Sequence, residues 1–152
     1  MIDFCGIELA HPIINASGTF DAVAARRAFG DALIEHFPFA AFVSKTVTVA
    51  PRQGNPPPRL WEVASGLINS IGLPNKGLDG YLAEDLPKLA ALPVPLIVNV
   101  MGSTRDQVAE LVKTRTDELQ HRASFGVTTV PGRRGGTVPG VSPVGEQRLT
   151  LA

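Results

Sequence analysis

The stretch GLINSIGLPN, residues 66–75, is the segment around which the rest of the chain is organised. Its first half is typical of a short apolar strand, and its second half of a turn built from Gly72, Pro74 and Asn75. Asn69 and Asn75 contribute amide donors and acceptors, and glycine lets backbone approach a ligand closely. Such a loop suits a flat heterocycle with carbonyl and N–H edges, although these ten residues alone favour an ordinary hairpin.

Composition places the chain among ordinary globular proteins. Its 152 residues are enough for one domain, and its formal net charge of zero gives no electrostatic case for nucleic acid or an anionic membrane. No apolar run reaches the roughly 18 residues of a membrane-spanning helix, and the N-terminus does not resemble a signal peptide. A single cysteine, Cys5, excludes an internal disulfide and a cysteine-only metal site. We predict no metal site and a cytoplasmic location.

Three apolar segments predict strands, near residues 12–16, 39–45 and 95–100. Helical patterns separate them, and apolar strands alternating with helices indicate an α/β fold with a parallel sheet. Each strand ends among polar residues. In such sheets ligands bind beyond the carboxyl ends of the strands, so we expect these polar ends to share one rim.

The remaining predicted elements are two hairpins and three helices. The hairpins comprise residues 2–9 and the pairing of 60–63 with the opening stretch. The first helix begins at the cap Asp21 and ends near Gly30. The second runs from Leu78 to Leu92, before Pro93, and the third follows a capping box of Thr104 and Gln107.

The chain loses this pattern after about residue 114. Residues 1–114 carry nine Lys/Arg and eleven Asp/Glu, whereas residues 115–152 carry five and three, so the sign of the charge reverses. Glycine, proline, valine and arginine then mix without a period. We therefore predict a domain over 1–114 and an irregular tail over 115–152, in which 127–130 is the one segment with strand-like character.

Five motifs, in this order, resemble the class 1 dihydroorotate dehydrogenases over residues 1 to about 113. They are Asn15–Phe20, Lys45–Thr48 with Pro51 and Arg52, Gly54–Arg59, Asn69–Asn75 and Asn99–Ser103. The resemblance implies the N-terminal part of a (β/α)8 TIM barrel, with about three βα units, an N-terminal hairpin and a hairpin insert. It also implies oxidation of dihydroorotate to orotate, with FMN, in the biosynthesis of pyrimidines (UMP).

The resemblance assigns site residues position by position. Positions matching FMN contacts are Thr19, Lys45, Thr46 and Asn99. Positions matching substrate contacts are Lys45, Asn69, Ser70, Ile71, Gly72 and Leu73. The chemistry is suitable, because lysine supplies a compact cation for a carboxylate and asparagine reads both carbonyl and N–H edges.

The chain departs from the family pattern in its catalytic base. Class 1 members use a cysteine within Asn-x-Ser-Cys-Pro-Asn, and no such sequence is present. Cys5 does not match it, and we expect that residue to be a buried or half-buried hydrophobe, so no catalytic residue is assigned. The segments that bind the FMN phosphate are also missing. These departures lead us to interpret residues 115–152 as a truncated or frame-shifted end.

The implied partners depend on the subclass. The motifs favour the NAD-linked type, which pairs with an FAD and iron–sulfur subunit, while the fumarate-using type stays open. The full-length family is expected to form homodimers. Two alternatives to the enzyme remain: an inactive truncated fragment of it, or a related flavin barrel acting on another pyrimidine.

Overall fold

A computed structural model describes residues 1–118 and 123–127, and the side chains of residues 1–113. The described strands are β1 (Ile2–Phe4), β2 (Ile7–Leu9), β3 (Phe42–Val43), β4 (Leu60–Val63), β5 (Gly66–Asn69), β6 (Leu96–Val100) and β7 (Ala123–Val127). The described helices are α1 (Ala22–Phe29), α2 (Ala32–Glu35), α3 (Gly77–Gly80), a π-helical turn (Tyr81–Asp85), α4 (Leu86–Leu89) and α5 (Arg105–Glu118).

A parallel sheet in the order β3-β6-β7 forms the centre of the molecule. Phe42 of β3 lies opposite Leu96 of β6, and β6 pairs with β7 along its full length. The predicted strands near 39–45 and 95–100 are thus confirmed as parallel neighbours, although β3 itself is only two residues long. The α/β fold class is confirmed at this level.

The prediction of a strand near 12–16 was wrong, although this segment does border β3. Pro12 has no backbone N–H to offer a ladder. One backbone bond forms just before β3, from the Ala40 N–H to the Ile13 carbonyl (2.9 Å). The contact with β3 itself comes from the side-chain amide of Asn15, whose Nδ2 donates to the Val43 carbonyl (2.9 Å) and whose Oδ1 accepts from the Val43 N–H (2.8 Å). A side chain therefore takes the position of a peptide group beside the sheet.

Both faces of the sheet are covered by apolar residues. The face toward the helices belongs to a buried cluster that includes Ala22, Phe42, Leu78, Leu89, Leu96 and Val98. On the other face, Ala41 and Ile97 pack with Leu9 of the N-terminal hairpin. Because side chains alternate along a strand, Asn99 lies on the same face as Ile97.

The two predicted hairpins are confirmed. β1 pairs with β2 through a turn at Cys5 and Gly6, where φ is +55° and +83°. The expectation that Cys5 is buried or half-buried was wrong. Cys5 lies in the two-residue turn beyond the paired strands, where its thiol is exposed. β4 pairs with β5, and every residue of that hairpin is exposed.

The helix predicted from Leu78 to Leu92 forms with an interruption. Between α3 and α4, the Leu86 N–H bonds to the Tyr81 carbonyl, five residues before it. Pro87 follows directly, and proline cannot donate to the carbonyl four residues before it and clashes with that group. A local π-helical turn relieves this conflict.

At α1, the Asp21 side chain accepts from the Ala24 N–H (2.9 Å), so the predicted N-cap of this helix is confirmed.

The irregular tail was predicted wrongly for the residues beyond 114 that the structure describes. α5 continues to Glu118, and β7 adds a strand to the sheet. Strand pairing uses backbone groups, so the open edge of β6 can be paired by a segment whose side chains show no clear period. The rest of the predicted tail lies outside the described residues. The boundary between 1–114 and 115–152 stays a prediction.

Helix α5 begins with hydrogen bonds between Gln107, Thr104 and Ser103. The Gln107 N–H donates to Thr104 Oγ1 (3.3 Å), and Gln107 Oε1 accepts from the Ser103 N–H (2.8 Å). The predicted capping box therefore forms, with its return bond displaced by one residue.

In the described part of the chain, no helix has the length and apolar character needed to cross a bilayer.

Candidate functional site

A bulge at the end of β3 turns Lys45 out of the regular sheet. Val43 lies opposite Ile97, but the next bridge joins Val47 to Val100, so three residues face two. An extra residue of this kind bends a strand and re-aims a side chain. Lys45 is exposed and forms no ion pair within the described residues. Its ammonium group is therefore available to an anion.

Ser44 holds the bulge in place. It is fully buried, and its N–H donates to the Ile97 carbonyl (2.9 Å). Its hydroxyl oxygen accepts from the Asn99 N–H (3.2 Å) and donates to the Lys45 carbonyl (3.2 Å). The Ser17 hydroxyl in turn donates to the Ser44 carbonyl (2.8 Å). One serine thus fixes the ends of two strands and the preceding loop relative to one another.

Asn99 presents an unsatisfied acceptor at the end of β6. Both of its backbone groups are hydrogen-bonded, because its N–H donates to the Ser44 hydroxyl and its carbonyl accepts from the Val47 N–H (2.9 Å). Its Oδ1 is buried and has no hydrogen-bond partner within the described residues. An orphaned buried acceptor costs about 1–3 kcal/mol. This oxygen therefore marks a place where a donor from a ligand would be stabilising.

The two threonines predicted to contact a cofactor lie beside this rim. Thr46 is half-buried, and its Oγ1 lies 3.4 Å from the Ser17 hydroxyl. Thr19 is exposed, and its hydroxyl donates to the Ala16 carbonyl (2.7 Å). The structure thus brings Lys45, Thr46 and Asn99 to one end of the sheet and puts Thr19 on the adjoining loop.

The predicted substrate residues form a loop that leaves β5, called here the substrate loop, residues 69–73. Asn69 ends the strand opposite Leu60 and is exposed. Ile71 and Gly72 are half-buried, and Leu73 is exposed. The loop is therefore accessible to a small molecule along most of its length.

Three consecutive carbonyls of the substrate loop bind the preceding proline-rich segment. Asn55 Nδ2 donates to the Ser70 carbonyl (2.8 Å) and hydroxyl (2.8 Å). The Asn55 N–H donates to the Ile71 carbonyl (3.0 Å), and Arg52 Nε donates to the Gly72 carbonyl (3.3 Å). All three carbonyls are thus directed to the same side.

The N–H groups that follow these carbonyls face the other way. The C=O and N–H of a trans peptide are antiparallel, so the N–H groups of Ile71, Gly72 and Leu73 point away from the proline-rich segment. None of them makes a hydrogen bond within the described residues. Positive φ values at Gly72 (+81°) and Leu73 (+53°) accompany this arrangement. Successive N–H groups turned to one side form an anion-binding concavity.

Asn75 ties the substrate loop to the chain that follows the bulge. Its Oδ1 accepts from the Thr48 N–H (3.3 Å), the Thr48 hydroxyl (3.1 Å) and the Gly77 N–H (2.9 Å). Its backbone exchanges two hydrogen bonds with Arg52, at 2.8 and 2.9 Å. The loop and the end of β3 are consequently held in one framework.

A cavity of about 590 Å³ adjoins the rim on the helix side of the sheet. Its lining includes Gly18, Phe20, Phe42, Lys45, Thr46, Asn75 and Tyr81. Asn99 and the substrate loop are not part of this lining, and Asn99 lies on the opposite face. The predicted cofactor residues are therefore divided between two faces that meet at Lys45 and Thr46. We centre the candidate site on the rim, where a donor from a ligand would satisfy the orphaned acceptor of Asn99, and extend it to the substrate loop, which Asn75 ties to Thr48.

Charge compensation distinguishes the two lysines near this cavity. Lys76 Nζ lies 2.6 Å from Asp85 Oδ1 and 2.9 Å from Glu84 Oε2. The hydrogen bond to Asp85 has the larger effect and the one to Glu84 the smaller, and both raise the pKa of Lys76. The hydrogen bond to Lys76 lowers the pKa of Glu84. Lys76 is thus neutralised by its neighbours, whereas Lys45 is not.

Sequence reasoning assigned no role to three residues that build the site. Asn15 and Asn55 carried a signal, because each lies in a motif of the family resemblance and amide side chains commonly anchor loops. Ser44 carried none, since a lone serine after an apolar strand is ordinary. All three act on backbone groups that only the folded chain brings within reach.

The fold and the rim define a class of protein: an α/β protein whose candidate site lies at the carboxyl ends of parallel strands. The family model described as dihydroorotate dehydrogenase matches residues 1–125. The chain belongs to the dihydroorotate dehydrogenase family, and the resemblance inferred from its motifs is confirmed.

Individual relatives agree with this assignment. The chain is 40% identical over 144 residues to the dihydroorotate dehydrogenase B (NAD(+)) catalytic subunit of Pelobacter propionicus, covering 93% of this chain and 46% of that protein. It is 34% identical over 142 residues to the subunit of the same name from a Thermoanaerobacter species, with the same coverages. The chain spans about half the length of the curated relatives it matches.

Proposed function

We propose that this chain contributes the first strands and the substrate loop of an FMN-dependent dihydroorotate dehydrogenase, which oxidises dihydroorotate to orotate in pyrimidine biosynthesis. The observation that carries the proposal is the run of three unpaired N–H groups at Ile71, Gly72 and Leu73. They suit the carboxylate that distinguishes orotate and dihydroorotate from other pyrimidines. Charge-assisted hydrogen bonds to a carboxylate are about twice as strong as neutral ones.

The remaining substrate contacts follow from the same geometry. Lys45 supplies a compact positive charge at the rim, and Asn69 and Ser70 offer polar groups for the ring amides. Asn69 makes no side-chain hydrogen bond within the described residues, so both halves of its amide are available. Together these groups would orient the ring, and orientation is a large part of catalysis in such sites.

The rim also fits the ring system of FMN. Asn99 Oδ1 needs a donor, and the flavin ring carries a ring N–H that can supply one. Thr19, Lys45 and Thr46 add hydroxyl and ammonium groups around the same strand ends. FMN, when bound, provides the acceptor for the hydride; the residues of this chain bind and orient.

The proton that leaves dihydroorotate has no assigned acceptor in this chain. The family base is a cysteine, and the only cysteine here, Cys5, lies on the turn of the N-terminal hairpin rather than at the strand ends. We propose that the base and the phosphate contacts of FMN come from groups other than the site residues named here.

The architecture and partners of the whole enzyme follow as part of the proposal. The parallel strands with helices between them support the start of a (β/α)8 TIM barrel over 1–114. The relatives carry the name B (NAD(+)), catalytic subunit. That name supports a separate electron-transfer subunit, for which we propose FAD and an iron–sulfur centre. A homodimer of the catalytic chain and a cytoplasmic location complete the proposal.

Comparison of orotate with uracil tests the proposed substrate. Uracil lacks the carboxylate, so orotate is expected to bind about tenfold or more tightly, through the N–H groups and Lys45. Binding is followed by the fluorescence of Trp61, the single tryptophan, which lies in the hairpin next to the substrate loop. Lys45→Ala should reduce the preference, whereas Lys113→Ala, an exposed lysine on α5, should leave it unchanged. Equal or tighter binding of uracil would contradict the proposal and favour a barrel acting on another pyrimidine.

A further inference from the structure

Asn55 lies outside the residues assigned to substrate or cofactor, yet it makes more contacts to the substrate loop than any neighbour whose bonds are described. Its side chain donates two hydrogen bonds to Ser70, both of 2.8 Å, and its N–H donates to Ile71. Its own carbonyl accepts from Arg59 (3.4 Å), and the Arg59 carbonyl accepts from the Ser70 N–H (2.9 Å). Asn55 is thus inside a closed network with the loop.

Two glycines let Asn55 approach the loop this closely. A Cβ on Gly72 would lie 2.6 Å from the Asn55 nitrogen and 2.9 Å from its Oδ1. A Cβ on Gly54 would lie 2.5 Å from the Ile71 carbonyl oxygen. Neither distance is possible for a real side chain without displacement of backbone. The two segments are therefore packed at the limit that glycine permits, and their relative position is fixed.

The direction of the three free N–H groups depends on this packing. Each N–H is antiparallel to the carbonyl before it in the same peptide plane. Holding the carbonyls of Ser70 and Ile71 on Asn55 therefore holds the N–H groups of Ile71 and Gly72 on the open side. Without those bonds the peptide planes are free to rotate, and the N–H groups no longer converge.

We propose that Asn55 is a positioning residue that orients the substrate-loop backbone so that its N–H groups bind the carboxylate of a pyrimidine substrate. The identity of the ligand in this inference rests on the proposed function. The hydrogen bonds from Asn55 to Ser70 and Ile71, called here the clamp, do not depend on it. Asn55 does not need to touch the ligand; it acts through the peptide planes of Ser70 and Ile71.

The informative substitution is Asn55→Asp, with Gln53→Ala as its matched control. Aspartate keeps the size of asparagine but replaces the Nδ2 donor by an acceptor, which faces the Ser70 carbonyl without a proton between them. Gln53 is an amide in the same segment, exposed and without a hydrogen bond within the described residues. Asn55→Ala serves as a second variant, and circular dichroism establishes that each variant is folded.

Amide hydrogen exchange of the whole chain, with and without orotate, separates the clamp from the ligand. Without ligand, the backbone amide of residue 55, which donates to the Ile71 carbonyl, should have a protection factor about tenfold lower in both Asn55 variants than in the wild type or Gln53→Ala, because the side chain no longer holds the loop against it. Orotate should protect the amides of Ile71, Gly72 and Leu73 in the wild type and in Gln53→Ala. The Asn55 variants should bind orotate about tenfold more weakly.

Each other outcome has a definite meaning. Unchanged protection of the residue-55 amide in the Asn55 variants would overturn the clamp. Faster exchange with unchanged orotate affinity would overturn the positioning role and leave only a structural one. A wild-type chain in which orotate protects none of the three amides would overturn the proposed function and the ligand part of this proposal, while the exchange without ligand would still decide whether Asn55 holds the loop.

Discussion

Single amide side chains replace backbone hydrogen bonds at two places in this molecule. Asn15 satisfies both backbone groups of Val43 at the edge of β3, and the Asn75 side chain accepts two hydrogen bonds from Thr48 and one from the Gly77 N–H. Both sites connect segments that are far apart in the chain. Each asparagine therefore adds side-chain hydrogen bonds where the backbone pairing of its loop is limited to one or two bonds.

Asn15→Ala is expected to destabilise the chain by about 2 kcal/mol. Asn15 is 4% exposed, and its removal leaves the N–H and carbonyl of Val43 without partners, which typically costs about 1–3 kcal/mol. The free energy of unfolding in urea measures the effect. Asn69→Ala is the control, because Asn69 is exposed and its side chain makes no hydrogen bond within the described residues. Equal stability of the two variants would show that water satisfies Val43.

At the scale of elements, ion pairs stabilise the interrupted helix that runs from Gly77 to Leu89. The π-helical turn brings Glu84 and Asp85 within reach of Lys76, which immediately precedes α3. Three charged groups thus link the start of the helix to its middle. They are largely exposed, so their contribution to stability is small and is screened by salt.

The pH dependence of that link has a definite sign. The pKa of Glu84 is lowered from 4.5, so its contribution is present above about pH 4.5 and is lost as the pH falls through the lower folded value. The pKa of Lys76 is raised from 10.5, so its contribution is present below about pH 10.5 and is lost as the pH rises through the higher folded value. The link is therefore complete between these limits.

Glu84→Gln is expected to lower the urea midpoint slightly at pH 7 and to have no effect below the folded pKa of Glu84. Urea titrations of the wild type and the variant over pH 2.5–8 would measure the difference, and Glu110→Gln on α5 is the control, since Glu110 forms no ion pair within the described residues. A difference that persists unchanged at the acid limit would show that the Glu84 effect is not electrostatic.

At the scale of the whole molecule, the residues of the proposed site come from separate segments, and none of them is assigned as a base. Lys45 and Asn99 lie at the same end of the sheet, and Asn75 ties the substrate loop to Thr48, which follows the bulge. In the proposed oxidation of dihydroorotate, a proton must leave the substrate, and a positioned base typically increases the rate of such a proton transfer by about 10²–10⁴-fold. No residue of this chain matches the base of the family.

We therefore expect the isolated chain to show no measurable turnover of dihydroorotate and weak binding of FMN. The test is to measure flavin absorbance of the purified chain and to assay dihydroorotate oxidation with an artificial electron acceptor. Orotate binding, followed by Trp61 fluorescence, serves as the control that the substrate loop is formed. Stoichiometric FMN with clear turnover would contradict the expectation and would require a base among the residues of this chain.

The sequence alone determined the elements whose cause is local. The N-cap at Asp21, the two hairpins and the strand at 95–100 follow from side-chain chemistry and apolar periodicity within a few residues, and all of them form. The polar residues at the strand ends likewise pointed to the rim where Lys45 and Asn99 lie. These predictions succeeded because neighbouring residues contain the forces that decide them.

Only the tertiary structure decided features that depend on distant partners. The segment near 12–16 became a bordering loop because the Asn15 amide binds Val43, and 123–127 became a strand because the backbone edge of β6 was open. The bulge at Lys45 and the common direction of the substrate-loop carbonyls also come from contacts with Ser44 and Asn55. Backbone hydrogen bonds between remote segments have no side-chain signature, so their pattern is set only when the chain folds.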